Sequence, residues 1–127
     1  MIALLVAATI SVLNVVSHPA VDTAVVYATI HNGAATSDVL DRVETTLGSA
    51  SLHRSEESTH NGMSMSSMAA VSSIAVPAHG DVRLAPGGYH VMIENLQAPL
   101  QPGQHIALRL HFRNGGWVSV SGLVTPY

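Results

Sequence analysis

Short runs of alternating apolar and polar residues, separated by turn residues, recur along most of the chain. In the run from His105 to Phe112, Ile106, Leu108 and Leu110 alternate with more polar positions, a pattern that predicts a half-buried β-strand. The following Asn-Gly-Gly is a hairpin turn signal, and residues 117–124 predict the returning strand. Similar runs at 10–16, 23–30, 73–76, 82–84 and 89–93 bring the total to about seven short strands, as in a β-sandwich or barrel.

Two stretches depart from this pattern. Residues 34–50 have a spacing compatible with a short helix, but their context favours a loop and a strand. Residues 51–73 are rich in serine and methionine and have a period of neither 2 nor 3.6. For this second stretch we predict a loop that carries function.

Length and composition indicate one domain. The 127 residues suffice for a single hydrophobic core, so residues 1–127 are interpreted as one domain. Hydrophobic residues reach 47% and charged residues only 10%, a balance that suits short strands and predicts an all-β fold. Residues 1–9 are either a signal-peptide remnant or a first strand, and the apolar run is too short to predict a transmembrane helix.

Composition also excludes several function classes. The formal charge is −3 and lysine is absent, so no nucleic-acid partner is expected. The absence of cysteine excludes disulfides, thiolate zinc sites, iron–sulfur clusters and blue-copper electron transfer. No nucleophile elbow, phosphate-binding glycine loop or paired carboxylate motif is present, so the chain is not expected to be an enzyme. The 8 histidines and 5 methionines remain as soft donors.

One candidate metal site follows from strand geometry. His90 and Met92 are two residues apart in a predicted strand, so both side chains project from the same face. The Pro86-Gly-Gly88 turn places the pair at the rim of the fold, where the methionine-rich stretch from His53 to Met68 is expected to close over a metal. Two imidazoles and two thioethers form a neutral, soft set that favours Cu(I).

Other interpretations compete with this one. Met92 alone is more typical of core packing and His90 of a hydrogen-bonded residue, and Met63, Met65 and Met68 also fit an inert disordered tract. A structural β-sandwich with incidental histidines is therefore one alternative. A zinc hydrolase built on His60 and two glutamates is another, although the helical His-Glu-x-x-His framework is missing.

The candidate residues resemble a known family. Met68 is followed by 21 residues and then by His90-Val-Met92, and residues 86–92 look like the most recognisable segment of the PCuAC family of periplasmic copper chaperones. Residues 26–32, 51–53 and 74–84 also look like family segments, so the resemblance covers roughly residues 11–124. The stretch between His53 and Met68 is longer than is usual in the family.

The resemblance implies a cupredoxin-like β-sandwich/barrel that binds Cu(I) through His53, Met68, His90 and Met92. The longer stretch adds His60, Met63 and Met65 as candidate accessory metal ligands. The resemblance further implies a copper chaperone in the periplasm or another extracytoplasmic space. The chain is methionine-rich, and we expect a monomer. Its copper would go to the CuA centre of cytochrome c oxidase during oxidase assembly, alongside a Sco-type protein. A copper-sequestering or buffering protein without a dedicated recipient is the alternative.

Overall fold

The computed structural model describes residues 10–126, apart from the side chains of residues 57–60 and 64–66. Within this range ten strands are present: β1 (Ile10–Ser17), β2 (Ala24–Asn32), β3 (Asp38–Glu44), β4 (Ser49–His60), β5 (Met63–Ala70), β6 (Ile74–Val76), β7 (Gly80–Leu84), β8 (Tyr89–Glu94), β9 (His105–Phe112) and β10 (Gly116–Val124). Residues 1–9, for which a signal-peptide remnant or a first strand is predicted, lie outside the described residues. In residues 10–126 no helix is long and apolar enough to span a membrane.

The strands form one mixed sheet that curls into a half-barrel. Its order is β5-β4-β8-β2-β1-β10-β9-β3-β6, and β7 pairs with β2 beside β8. The β1–β10 ladder is parallel and the other ladders are antiparallel. The prediction of an all-β fold in one domain is therefore confirmed.

The core lies on the inner face of the curled sheet, because apolar residues alternate along its strands. On β9, Ile106, Leu108, Leu110 and Phe112 are buried while their neighbours are more exposed, as the alternation predicts. On β2 the same period of two buries alternate residues from Ala24 to Ile30. The opposite face of β4, β8 and β2 is therefore not part of the core.

The prediction of a loop for residues 51–73 was wrong. β4 and β5 form one long hairpin, paired in continuous register from His53 with Ala70 to His60 with Met63. Its two-residue turn is Asn61-Gly62, with φ angles of 51° and 76°, as favoured by Asn-Gly in tight hairpins. Residues 38–44 form a strand, in agreement with the loop-and-strand interpretation. The number of strands in the described residues, ten, exceeds the expected seven.

A buried carboxylate holds the β9–β10 turn. Asp38, at the start of β3, is 5% exposed and accepts backbone N–H bonds from Asn114 and Gly115, each 2.9 Å long. Its Oδ1 also accepts the N–H of Val39 at 2.7 Å. One side chain thus satisfies three backbone donors where two hairpin strands meet a third strand.

We expect Asp38→Ala to lower the free energy of unfolding by about 2–3 kcal/mol, because three backbone donors lose a charged acceptor. Urea denaturation followed by tryptophan fluorescence measures this change. Asp22→Ala, at an exposed position, is the control and should change stability by less than about 0.5 kcal/mol. Equal losses in the two variants would contradict the role of Asp38.

A second carboxylate gives acid sensitivity on the outer face of β3. His111 Nδ1 lies 2.6 Å from Asp41 Oδ1, and Arg113 Nε lies 3.6 Å from Oδ2. The hydrogen bond with His111, followed by the charges of His111 and Arg113, lowers the pKa of Asp41 below its ordinary value of 3.8.

A carboxylate with a depressed pKa in the folded state stabilises the fold above its unfolded-state pKa, and this contribution is lost as the pH falls through the folded-state value. Wild type should therefore be more stable than Asp41→Asn at pH 6, and the difference should shrink below about pH 4. Denaturation curves across this range test the prediction. A difference that grows on acidification would contradict it.

Candidate metal centre

Two histidines face each other across the β4–β8 ladder. The ladder runs from Ser49 opposite Glu94 to Arg54 opposite Tyr89, and in this register His53 lies opposite His90. Leu52 and Val91, the next pair along, are 4% and 1% exposed in the core, so the register is held by burial. Alternation then puts both imidazoles on the other face, where the rings stack with centroids 5.9 Å apart and planes inclined by 19°.

The His90 ring has a defined orientation and one unpaired nitrogen. His90 is 1% exposed, and its Nδ1 lies 3.2 Å from the carbonyl oxygen of Gly88. Because a carbonyl oxygen only accepts, Nδ1 must donate, and in the neutral ring Nε2 then carries the lone pair. Nε2 is buried and has no hydrogen-bond partner among the described residues. A buried lone pair without a partner is costly, which points to a ligand in the functional state.

The His53 ring is held in a similar way through its other nitrogen. His53 Nε2 lies 2.8 Å from Ser51 Oγ, while Nδ1 is buried with no partner among the described residues. When the serine hydroxyl accepts from Nε2–H, the lone pair is on Nδ1. Each ring of the stacked pair can thus offer one buried nitrogen to a metal while a second contact orients it.

Met68 and Met92 flank the stacked His53–His90 pair on the same face of the sheet. Met92 lies opposite Ser51 and two residues from His90, and it is half-buried. Met68 on β5 lies opposite Ser55 and two residues from Ala70, the partner of His53. Each methionine is therefore a diagonal neighbour of His53 across one ladder, a Cα separation of about 7–8 Å that long side chains span. Met68 is 54% exposed.

Two sequence-based expectations about this site need correction. His90 lies at the beginning of β8, as expected, but the expected rim position implies an accessible ring, and the residue is 1% exposed. Met68 was expected on a loop that closes over the metal, but it lies on edge strand β5 of a regular hairpin. The site is consequently part of the sheet face.

The candidate accessory ligands do not form a described cluster. The side chains of His60 and Met65 lie outside the described residues. Met63 is 69% exposed and five positions from Met68, which puts it on the opposite face of the hairpin. Glu56 pairs with Arg54 at 2.8 Å, and the described residues contain no group of three or more His, Asp or Glu side chains placed to hold a metal.

The positions around the two rings are uncharged. Ser51, Ser55 and Ala70 surround His53 in the ladders, and Val25 lies opposite Met92. The nearest cation, Arg54, alternates to the other face, where hydrogen bonds to Glu56 and Tyr89 raise the pKa of its guanidinium. Acidic residues occur on this face one position further along the strands, at Glu94 beyond Met92 and at Glu57 beyond Ser55. The four imidazole and thioether donors themselves are neutral, and such a set suits a soft monovalent ion better than a hard divalent one.

Sequence reasoning missed the two groups that orient the rings. Ser51 precedes His53 by two residues on one strand, so a period of two already puts it beside the ring. This signal was available in the sequence. The Gly88 carbonyl was not predictable in the same way, because its direction depends on the turn that precedes β8.

Comparisons with known proteins agree with this fold. The structure is similar to a copper-bound PCuAC domain from PmoF2 (TM-score 0.77, 19% identity, 99% of this chain and 100% of that one). It is also similar to an apo PCuAC domain from PmoF1 (TM-score 0.75, 23% identity, 94% and 95%). A third similar structure is the solution structure of apo-DR1885 from Deinococcus radiodurans (TM-score 0.67, 25% identity, 100% and 85%).

The fold and its histidine–methionine face define a domain of the PCuAC type, as the sequence resemblance predicts. The chain belongs to the family described as "Putative lipoprotein LpqE-like", whose model matches residues 5–124. It is 36% identical over 96 residues to "Putative lipoprotein Lxx21020" of Leifsonia xyli subsp. xyli (strain CTCB07). That alignment covers 76% of this chain and 54% of the relative, so the match spans about half of the relative's length.

The ring orientations predict a measurable tautomer without any metal. In long-range ¹H–¹⁵N spectra of the neutral rings, His90 should show a protonated Nδ1 and an unprotonated Nε2, because Gly88 accepts from Nδ1. Observation of the Nε2–H tautomer at His90 would contradict the site geometry. Ser51→Ala should release the His53 ring, whereas Ser49→Ala, at an exposed position on the same strand, should leave its signals unchanged.

Proposed function

We propose that this domain binds one Cu(I) ion through His53, Met68, His90 and Met92. The observation that carries the proposal is the stacked His53–His90 pair, in which each ring keeps one buried nitrogen without a hydrogen-bond partner. Two such nitrogens on neighbouring strands form half of a ligand set before any metal arrives. The thioethers of Met68 and Met92, on either side of the histidine pair, supply the other two ligands.

The donor chemistry selects the metal and its oxidation state. Imidazole and thioether are uncharged ligands, and a set without thiolate or carboxylate favours Cu(I) over Zn(II), Mg²⁺ or Ca²⁺. One of the similar solved domains is described as copper-bound, which supports copper as the cargo. Four protein ligands leave no open position for a substrate, so binding rather than catalysis is the proposed activity.

The proposed role is that of a copper chaperone outside the cytoplasm. The lipoprotein names of the family and of its relative support an extracytoplasmic location, periplasmic or secreted. Met68 is the exposed member of the ligand set, so a recipient can approach the copper from the β5 side. The recipient we propose is the CuA centre of cytochrome c oxidase, with a Sco-type protein as a second partner.

We expect Met92→Leu and Met68→Leu each to weaken Cu(I) binding at least 10-fold, because leucine keeps the side-chain volume but removes the sulfur donor. Anaerobic titration against a chromophoric Cu(I) chelator measures the affinity and the stoichiometry. Met63→Leu is the matched control, since Met63 is exposed on the opposite face of the hairpin.

Cu(I) affinity that is unchanged in both Met92→Leu and Met68→Leu would contradict the assignment of the site. A loss in Met63→Leu as large as that in Met68→Leu would move the site to the hairpin tip. His90→Ala is a poor test, because the ring is 1% exposed and its removal opens a cavity.

A transfer assay separates a chaperone from a copper buffer. Cu(I)-loaded domain is mixed with an apo CuA-domain acceptor, and copper is measured on each protein after separation. A chaperone transfers copper faster than the same concentration of Cu(I)-chelator complex of matched affinity. Transfer no faster than from the chelator would favour the buffering function.

A further inference from the structure

The edge strand β5 lacks the features that normally protect a sheet edge. β5 pairs with β4 alone, so its other side is open. Its sequence, Met-Ser-Met-Ser-Ser-Met-Ala-Ala, contains no charge and no proline, and its pairing with β4 continues over eight residue pairs without a bulge. Natural edge strands usually contain a charged residue, a proline or a bulge, each of which hinders pairing with another chain. Their absence here indicates an edge that is available for pairing.

The open side of β5 displays the backbone groups of its even-numbered residues. The N–H of Val71 donates to the carbonyl of Leu52 at 2.9 Å, so residue 71 is bonded towards β4. The N–H of Ser55, opposite Met68, donates instead to Gly88 of the turn before β8 at 3.1 Å. Bonded and non-bonded pairs alternate along an antiparallel ladder, so residues 66, 68 and 70 direct their N–H and C=O groups outwards.

The outer part of the hairpin has no third strand. β8 pairs with β4 only as far as Arg54, whereas β5 continues along β4 to His60. Beyond Arg54 the hairpin is a two-stranded ribbon, an arrangement of marginal stability in water. A third strand added at β5 would supply the missing hydrogen bonds.

We propose that β5 pairs with β5 of a second copy of this chain, antiparallel about a two-fold axis, and that Cu(I) bridges the two Met68 side chains. This inference rests on the proposed function, since it takes Met68 as a copper ligand. With Met68 opposite its own symmetry mate, residues 66 and 70 of the two copies also pair, and all of them direct their backbone groups outwards. Directly opposite Cβ atoms are about 4.5–5.5 Å apart, within reach of one bridging ion for two thioethers.

Two observations favour a second copy as the occupant. β5 carries no charge, so two copies meet without like-charge repulsion, and it offers no charge complementarity to a charged partner. Met68 is 54% exposed on the copper-binding face, so the second copy adds a donor to the site itself. One strand edge is a small interface, so the pair should be transient without the metal.

The pairing gives copper a route between copies. A Cu–S bond to Met68 of the second copy forms as the Cu–S bond to the first Met68 breaks, with copper remaining Cu(I) and no proton transferred. The ion thereby moves by ligand exchange, one donor at a time.

Sedimentation velocity of the full chain, run anaerobically at increasing Cu(I), tests the proposal. We expect a monomer without copper, a dimer fraction that is largest near half an equivalent, and a return towards monomer at one equivalent, when each Met68 has its own ion. Met68→Leu should remain monomeric throughout. Chelator competition on the same samples measures copper binding independently.

Ser67→Lys and Ser121→Lys form a matched pair of charge variants. Both serines are exposed on strands, but Ser67 lies on edge strand β5 and Ser121 on β10, which is paired on both sides. Ser67→Lys should abolish dimerisation and keep one-to-one copper binding, while Ser121→Lys should behave as wild type. Dimerisation of Ser67→Lys, or a wild type that binds copper and stays monomeric, would overturn this inference and leave the proposed function intact. A wild type that binds no copper would overturn both.

Discussion

The antiparallel pairing of β4 with β8 is the constraint on which the rest of the site depends. Leu52 and Val91 face the core from adjacent strands, and their burial prevents the ladder from sliding. A slip of one strand by one residue would expose the core side chain of that strand and turn its histidine inwards, away from the histidine of the other strand. The same apolar contact that stabilises the half-barrel therefore determines which donors meet, so packing and metal chemistry are coupled through one register.

Much of the fold was predictable, because the central strands are buried on one face only. In β9, and in β2 from Ala24 to Ile30, every second residue is apolar and buried, so each strand and its inward face could be predicted from the sequence. His90 and Met92 could be placed on one face for the same reason. That His53 lies opposite His90 was not predictable from periodicity, because strand order is a long-range property. The family resemblance implied His53 as a ligand but not its place opposite His90.

The β4–β5 hairpin was misinterpreted for a physical reason. Its outer part extends beyond the end of β8 and is paired only within the hairpin, and residues 55–68 show no apolar period. Periodicity detects strands only where one face is buried. The dipeptide Asn61-Gly62 was the local signal for a hairpin turn. It was better evidence for the structure of this stretch than the missing alternation of apolar residues.

The two-residue turn also constrains how this domain can vary in length among relatives. Residues inserted in even numbers at the hairpin tip add equally to β4 and β5, so Met68 keeps its position opposite Ser55 and its face. An odd insertion needs a different turn, such as a three-residue turn with a bulge, or it turns the methionine to the other side of the ribbon. Insertions in steps of two therefore keep both the two-residue turn and the ligand geometry, which reconciles a variable spacing between the first histidine and the methionine with a constant site.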